Sequence, residues 1–248
     1  MSIGIFLGGP GIGDKLQFSS LPENYFLNKG EKLIDLENSW VFDHNPFVLR
    51  GARPDEVINL WGHQNSVNER EGRGEIKHPM FGISARVCEG FGLKCHVRHP
   101  RLYRYEDKET ISKRIVVHTD GRSEGGVIPD NVIAQIAANY KGYEIFQIGG
   151  RNDRGTPFID AKGLGMWETA ELIASSEIFI GVNSSMMNMA NCYPKVRKKL
   201  IILQYGESQL EEFYPTNHPK FTAWIDFNAE YFNASNRDIG VTMSYKKI

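Results

Sequence analysis

The first residues able to do chemistry lie in Gly8-Gly9-Pro10-Gly11-Ile12-Gly13-Asp14-Lys15, which follows an apolar run over residues 3–7 and precedes a polar stretch with helical character. The order reads as strand, glycine-rich turn and helix start. Glycines permit positive φ and let a ligand approach the backbone, and free amides at a helix N-terminus favour an anion. Spacing rules out two phosphate-loop forms. The P-loop needs Lys and then Ser or Thr directly after its second glycine, whereas Gly13 is followed by Asp14, Lys15 and Leu16. The dinucleotide form G-x-G-x-x-G, started at Gly11 and Gly13, meets Leu16 where its third glycine belongs. What remains is a carboxylate, Asp14, at the carboxyl end of a first strand, where ligands gather in open α/β sheets. The plain structural alternative is that Asp14 caps the helix.

A second set of candidates comes from the later part of the chain. His118-Thr119-Asp120-Gly121-Arg122, Gly149-Gly150-Arg151-Asn152-Asp153, Asn183-Ser184-Ser185 and Gln204-Tyr205-Gly206-Glu207 each follow an apolar, strand-like run. Parallel strands would bring all four segments to one rim of a sheet, where a binding crevice is expected. Small hydroxyls, glycines and backbone amides dominate them. Asn183-Ser184-Ser185 stands before a helical stretch and supplies both an N-cap and free amides suited to a phosphate, although Ser and Asn are also ordinary caps.

The elements that must position these residues are clearest in the second half. Residues 115–118 are strand-like; Pro129-Asp130 opens a helix on which Val132, Ile133, Ile136, Ala137 and Tyr140 share a face; Gly142 ends it. Strands are expected over 143–148, 178–180 and 200–203, with helices over 167–175 and 185–192. This βαβ alternation predicts a parallel sheet covered on both faces. The first half is less regular. Residues 33–36 form a strand candidate, 65–79 have no apolar period and read as an exposed loop, and 80–91 read as a helix presenting Ile83, Val87 and Phe91, stopped by Gly92. The charged stretch 106–113 marks a boundary, giving domains 1–108 and 109–248.

Composition narrows the class. With 248 residues, 41% hydrophobic and 24% charged, the chain is of globular composition and long enough for one large or two small domains. No run approaches the ~18 apolar residues of a membrane span, and the N-terminus lacks the form of a signal peptide, so a cytoplasmic protein is expected. A net charge of −1 gives no general attraction to nucleic acid or membrane. Cys88, Cys95 and Cys192 form no paired C-x-x-C pattern and are expected as reduced thiols. Cys95-His96 with His99 lacks a fourth ligand, which argues against a metal there. Asp43, His44 and Asn45 fall near the first domain's rim, where an exposed loop is the simpler reading.

The glycine turn with Asp14, the Gly149-Gly150 pair, and the stretch from Leu164-Gly165-Met166-Trp167-Glu168 through Ile178-Phe179-Ile180-Gly181-Val182-Asn183-Ser184-Ser185-Met186-Met187-Asn188 together resemble glycosyltransferase family 9, the heptosyltransferase-like enzymes. The stretch from His78-Pro79 to Leu102-Tyr103 resembles the end of that family's N-terminal domain. The resemblance implies a GT-B fold, two Rossmann-like domains with parallel sheets facing across a cleft, here short and with a reduced N-terminal domain. It implies Asp14 as the catalytic base, taking a proton from an acceptor hydroxyl as it attacks the anomeric carbon. General-base help of this kind is typically worth ~10²–10⁴-fold. It places the sugar-nucleotide donor on the second domain, at His118, Thr119, Arg122, Gly149, Gly150, Met166, Glu168, Asn183, Ser184, Ser185 and Asn188. Gly11, Gly13, Lys15 and His44 fall on the acceptor side.

Two departures from the family pattern bear on the donor. The family's loop of the form Asp-Ser/Thr-Gly-x-x-His is Asn183-Ser184-Ser185-Met186-Met187-Asn188 here, so Asn replaces both ionisable residues. The lysine expected before the second domain's first helix is absent from Gly126-Val127-Ile128-Pro129, leaving Arg122 as the nearest cation, a planar fork suited to phosphate. The expected activity is metal-independent transfer of a hexosyl or heptosyl group, in carbohydrate biosynthesis, without a cofactor beyond the nucleotide sugar itself. The acceptor would be a glycan, a glycolipid met at the inner face of a membrane through a peripheral contact, or, less favoured, a modified nucleic-acid base. A nucleotide-sugar hydrolase or epimerase, or a non-catalytic nucleotide-sugar binder, is the alternative on the same scaffold.

Overall fold

The computed structural model describes residues 2–8, 11–70, 83–97, 99–121, 126–182, 184–203, 229–233 and 242–244. The chain divides into two compact units, Met1–Arg104 and Tyr105–Ile248, each an α/β layer structure built on a parallel sheet.

The first unit carries β1 (Ile3–Phe6), α1 (Ile12–Gln17), α2 (Leu21–Lys29), β2 (Leu33–Asp35), β3 (Val48–Arg50), β4 (Glu56–Asn59), α3 (Leu60–Arg70) and α4 (Ile83–Gly90). Its sheet order is β3-β2-β1-β4, with all pairs parallel. Ile5, Leu7, Leu16, Phe18, Leu21, Leu33, Val41, Phe42 and Leu60 are buried and form the core. Helix α2 starts with Pro22 in its first turn and ends at Gly30, whose left-handed backbone (φ 72) lets its N–H reach Phe26 O at 2.8 Å. Helix α3 replaces the front of the loop expected over 65–79, and residues 71–82 lie outside those described. Its start has a local cause. Asn59 Oδ1 accepts the Gly62 N–H at 3.1 Å, an N-cap bond that launches a helix whose polar face hid it from a periodicity reading. Gly92 stops the chain after α4 at φ 62, as expected.

The second unit carries β5 (Ile111–His118), α5 (Asp130–Asn139), β6 (Glu144–Ile148), β7 (Ile159–Asp160), α6 (Met166–Ala174), β8 (Ser176–Val182), α7 (Ser185–Asn191), β9 (Lys198–Leu203), β10 (Ala229–Asn233) and β11 (Thr242–Ser244). The seven strands run β11-β10-β9-β8-β5-β6-β7, parallel except for β11 against β10. Every element expected between 115 and 203 is present, while β7 was too short to anticipate. Val132, Ile133 and Ile136 of helix α5 are buried in one hydrophobic cluster with Ile115, Val117, Ile145, Ile178, Ile180 and Val182, a core cluster of the unit. At ~25 cal/mol per Å² of apolar area removed from water, each fully buried Ile or Val contributes about 1.5–3 kcal/mol, which orients the helix and so fixes where its preceding loop starts.

Candidate functional site

In the second unit the order β8-β5-β6 sets side by side the segments that follow these three strands. His118 closes β5, pairing with Gly181 of β8 and Ile148 of β6. Its imidazole is buried, and its Nδ1 lies 2.9 Å from Ser184 Oγ. Burial disfavours the imidazolium and lowers the His118 pKa to about 4, although Asp153 and Asp120 nearby pull it upward. The ring is therefore neutral at physiological pH. Gly181 has no room for a side chain, since a Cβ there would stand 2.9 Å from Phe179 Cε1 and 3.4 Å from His118 Cβ.

Ser184 occupies the N-cap position of α7, and its side chain makes no capping bond to its own helix. Ser184 and Ser185 are half-buried, and Asn188 is buried in α7. Asn183 and Arg122 lie outside the described residues, as does 204–207. On either side of the residues not described, Asp120 and Val127 form an antiparallel bridge and Gly121 N donates to Gly126 O at 2.8 Å.

Gly149 adopts φ 142, a backbone that favours glycine, and a Cβ there would collide with the Asp153 carboxylate. That carboxylate accepts the Gly150 N–H at 2.6 Å, so the amide expected to face a ligand already holds an anion from its own chain. Thr119 is buried; its hydroxyl donates to Asp120 Oδ2 and accepts Gln147 Nε2 at 2.9 Å. Gln147 Nε2 also donates to Arg154 O at 2.7 Å, and Gln147 Oε1 accepts Thr156 Oγ1 at 2.8 Å. One buried amide thus ties the end of β5 to the loop after β6. Lys162 Nζ donates to Asp153 O at 3.0 Å on the same loop.

Two other expected donor residues stand at the start of α6. Met166 is half-buried in its first turn, and exposed Glu168 accepts the Gly165 N–H at 2.7 Å, which makes it part of the helix cap. Sequence reasoning passed over Gln147 and chose Gly150 over Asp153. The signal for Gln147 was a polar residue at an inward position among the apolar Ile145, Phe146 and Ile148.

In the first unit, α1 begins inside the glycine turn. Lys15 N donates to Gly11 O at 3.2 Å, so Gly11 holds the capping position while Gly13, Asp14 and Lys15 are helical residues. Gly8 takes φ 61 with Asn59 Oδ1 where a Cβ would project, which explains a glycine there. Leu7 N donates to Glu37 Oε2 at 3.1 Å beside it. His44 is exposed in a turn at φ 60. Asp35 is buried, accepts Glu37 N at 3.1 Å and Ser39 N at 2.8 Å, and faces Arg50 at 3.4 Å; burial raises its pKa against those opposing contacts. Among the described residues no group of three or more His, Cys, Asp and Glu is placed to hold a metal ion.

Parallel α/β units with these rims have the architecture of GT-B-like glycosyltransferases, and comparison with solved structures shows the same fold. The chain superposes on the iron-containing dodecameric glycosyltransferase TibC from enterotoxigenic E. coli with a TM-score of 0.59 at 16% identity, covering 82% of this chain and 58% of that one. For E. coli heptosyltransferase WaaC with ADP the TM-score is 0.56 at 11% identity, covering 89% of this chain and 99% of WaaC. For the family 9 glycosyltransferase from Veillonella parvula it is 0.58 at 12% identity, covering 93% and 85%. The chain therefore spans little over half of TibC and nearly all of WaaC. No family model matches the chain, and no curated protein matches it. The likeness to these glycosyltransferases is one of fold.

Proposed function

We propose that the protein is a glycosyltransferase that binds a nucleotide-sugar donor on the rim of its second unit and passes the sugar to a hydroxyl acceptor. The observation that carries this reading is the convergence of His118, Ser184 and the Gly149 turn at the ends of adjacent parallel strands, on a fold shared with E. coli heptosyltransferase WaaC, whose structures are with ADP and with ADP-2-deoxy-2-fluoro heptose. Ser184, Ser185 and neutral His118 offer hydrogen bonds to a diphosphate without a fixed charge, and Arg122 supplies the nearest cation in sequence. Asp14 is assigned as general base. Its carboxylate takes the acceptor hydroxyl proton, the freed oxygen bonds to the anomeric carbon, and the bond to the nucleotide diphosphate breaks with its electron pair. The reading is metal-independent, with a hexosyl or heptosyl donor. The acceptor is a glycan or glycolipid, reached by peripheral contact where a membrane carries it; among the described residues no helix is long and apolar enough to cross one.

A second reading, nucleotide-sugar binding without turnover, is favoured by the Asn183 and Asn188 that stand where the resembled family's loop carries ionisable residues. Thermal unfolding against a panel of nucleoside diphosphates and sugar nucleotides, with and without divalent metal, tests both. A ligand at a hundredfold excess over its dissociation constant adds about 2.7 kcal/mol of stability. A selective shift with sugar released to an acceptor supports transfer, and Asp14→Asn then keeps the shift and loses transfer by ~10²-fold or more. A shift without turnover supports the binder, and no shift with any nucleotide removes both.

A further inference from the structure

In the first unit the glycine turn leaves the sheet from the central strand β1, which lies between β2 and β4. The register of β1 with β2 sets Ile5 opposite Asp35, and Leu36 N donates to Ile5 O at 3.0 Å. One more repeat of that parallel ladder would put the Leu36 carbonyl on Leu7 N and turn both Leu7 peptide groups toward β2. The chain departs from the pattern at Leu7. Its N–H donates instead to the Glu37 side chain, with Oε2 at 3.1 Å, and its carbonyl accepts Trp61 N at 3.2 Å from the first turn of α3. Gly8 follows at φ 61, with Asn59 Oδ1 where its Cβ would project, and Gly11 caps α1 four residues beyond Leu7. Leu7 is buried, so its N–H would be costly to leave without an acceptor. Glu37 is itself held. Asp35, buried at the end of β2, accepts Glu37 N at 3.1 Å and Ser39 N at 2.8 Å. Arg50 Nη2, at the end of β3, donates to Ser39 O at 2.9 Å and lies 3.4 Å from Asp35 Oδ2 and 2.7 Å from Asp43 Oδ1. These contacts fix the backbone from which Glu37 reaches across to β1.

We propose that Glu37 is a positioning residue: its carboxylate fixes where the glycine turn leaves the first sheet and, through that turn, where Asp14 stands. The catalytic half of this rests on the reading of Asp14 as general base. Asp14 is the third residue of α1, and the origin of that helix follows the direction the chain takes at Leu7 and Gly8. A base must come within ~2.6–3.2 Å of the proton's oxygen, and a misplacement near 1 Å can cost ~10²-fold in rate. Continued backbone pairing would carry β1 further along the sheet before the turn. A side-chain acceptor lets the strand end at Phe6 and still satisfies the next amide. Leu7 N–H is a neutral donor, so what the turn requires of Glu37 is an oxygen in the right place and not its charge.

The test compares Glu37→Gln, which keeps a carbonyl oxygen at the same reach, with Glu37→Ala, which has none, in the full-length protein. Amide hydrogen exchange followed by NMR reads the contact directly. The Leu7 N–H should exchange about tenfold or more faster in Glu37→Ala and stay near the wild-type rate in Glu37→Gln, with the second unit's core amides unchanged in both. A kinetic arm offers ADP-, UDP- and GDP-linked hexoses and ADP-heptose with a panel of glycan acceptors, and follows release of the nucleoside diphosphate. Glu37→Ala should lower kcat by ~10–10²-fold with the donor KM unchanged, and Glu37→Gln should restore kcat to within about threefold of wild type. Unchanged Leu7 exchange in Glu37→Ala overturns the proposal. So does faster exchange with full kcat, or a Glu37→Gln variant as impaired as Glu37→Ala, since charge would then be the requirement. A wild type that consumes none of these donors puts the transferase reading at fault, and the exchange comparison still decides whether Glu37 holds the turn.

Discussion

Ser184, at the cap of α7, turns its hydroxyl away from its own helix and onto Nδ1 of His118, 2.9 Å off and 66 residues earlier in the chain. A cap serine ordinarily accepts an amide of its helix, a bond worth about 1 kcal/mol. Here that bond is replaced by one that joins β5 to α7, and it holds a buried, neutral imidazole whose charge state Asp153 and Asp120 also influence.

The His118 ring should remain neutral far into acid. Its folded pKa of about 4 lies below the ordinary 6.5, so between these values the unfolded chain binds a proton that the folded one does not. Stability contributed by neutral His118 is complete above pH 6.5 and is lost as pH falls toward 4. The His118 ring resonances followed by NMR should stay unshifted from pH 8 to 5, and a midpoint near 6.5 would remove this account.

Ser184→Ala should leave the fold intact and weaken the binding of whichever nucleotide stabilises the wild type. One hydrogen bond of about 0.5–1.5 kcal/mol corresponds to a two- to tenfold rise in Kd. Isothermal titration measures it; equal affinity for wild type and variant would separate Ser184 from the donor.

Gly149→Ala should destabilise the second unit by about 2–4 kcal/mol, because it places a Cβ at φ 142 against the Asp153 carboxylate. Asp153→Ala removes the obstacle but also the bond to Gly150 N. The double variant should therefore be less destabilised than the two single effects summed, and additive denaturation midpoints would contradict the geometry.

Lys199 is a buried cation in β9 whose Nζ donates to Val196 O at 3.0 Å, close to Cys192. Burial lowers its pKa to about 8 from 10.5. Below pH 8 both folded and unfolded states carry the proton, and the folded state bears the cost of a buried charge. Between about 8 and 10.5 only the unfolded state keeps it, so the wild type gains stability as pH rises. Lys199→Met should be about 1–2 kcal/mol more stable at pH 7, after allowing for the carbonyl left without its donor, and that gain should shrink toward pH 10 in urea unfolding.

The second unit was largely legible in the chain itself. Runs such as Ile115-Val116-Val117 and Ile178-Phe179-Ile180, separated by Pro129-Asp130 and Gly142, announce strand, helix and stop through neighbours a few residues apart. The first unit was not. Helix α2 buries a polar residue, Asn24, because that side chain holds the backbone of 96–97, and α3 rests on the Asn59 cap; neither shows as an apolar period.

What the sequence by itself determined is the parallel α/β order of the second unit and, among the described residues, the segments after β5, β6 and β8 that share its rim, since hydrophobic period and Gly/Pro punctuation act over single turns and strands. Only the tertiary structure decided which of those residues meet. It turned Ser184 onto His118, set Asp153 on the Gly150 amide and buried Thr119 under Gln147. Those pairings depend on strand order and register, which bring together groups dozens of residues apart, and on desolvation, which sets the charge of His118 only once the sheet has closed around it.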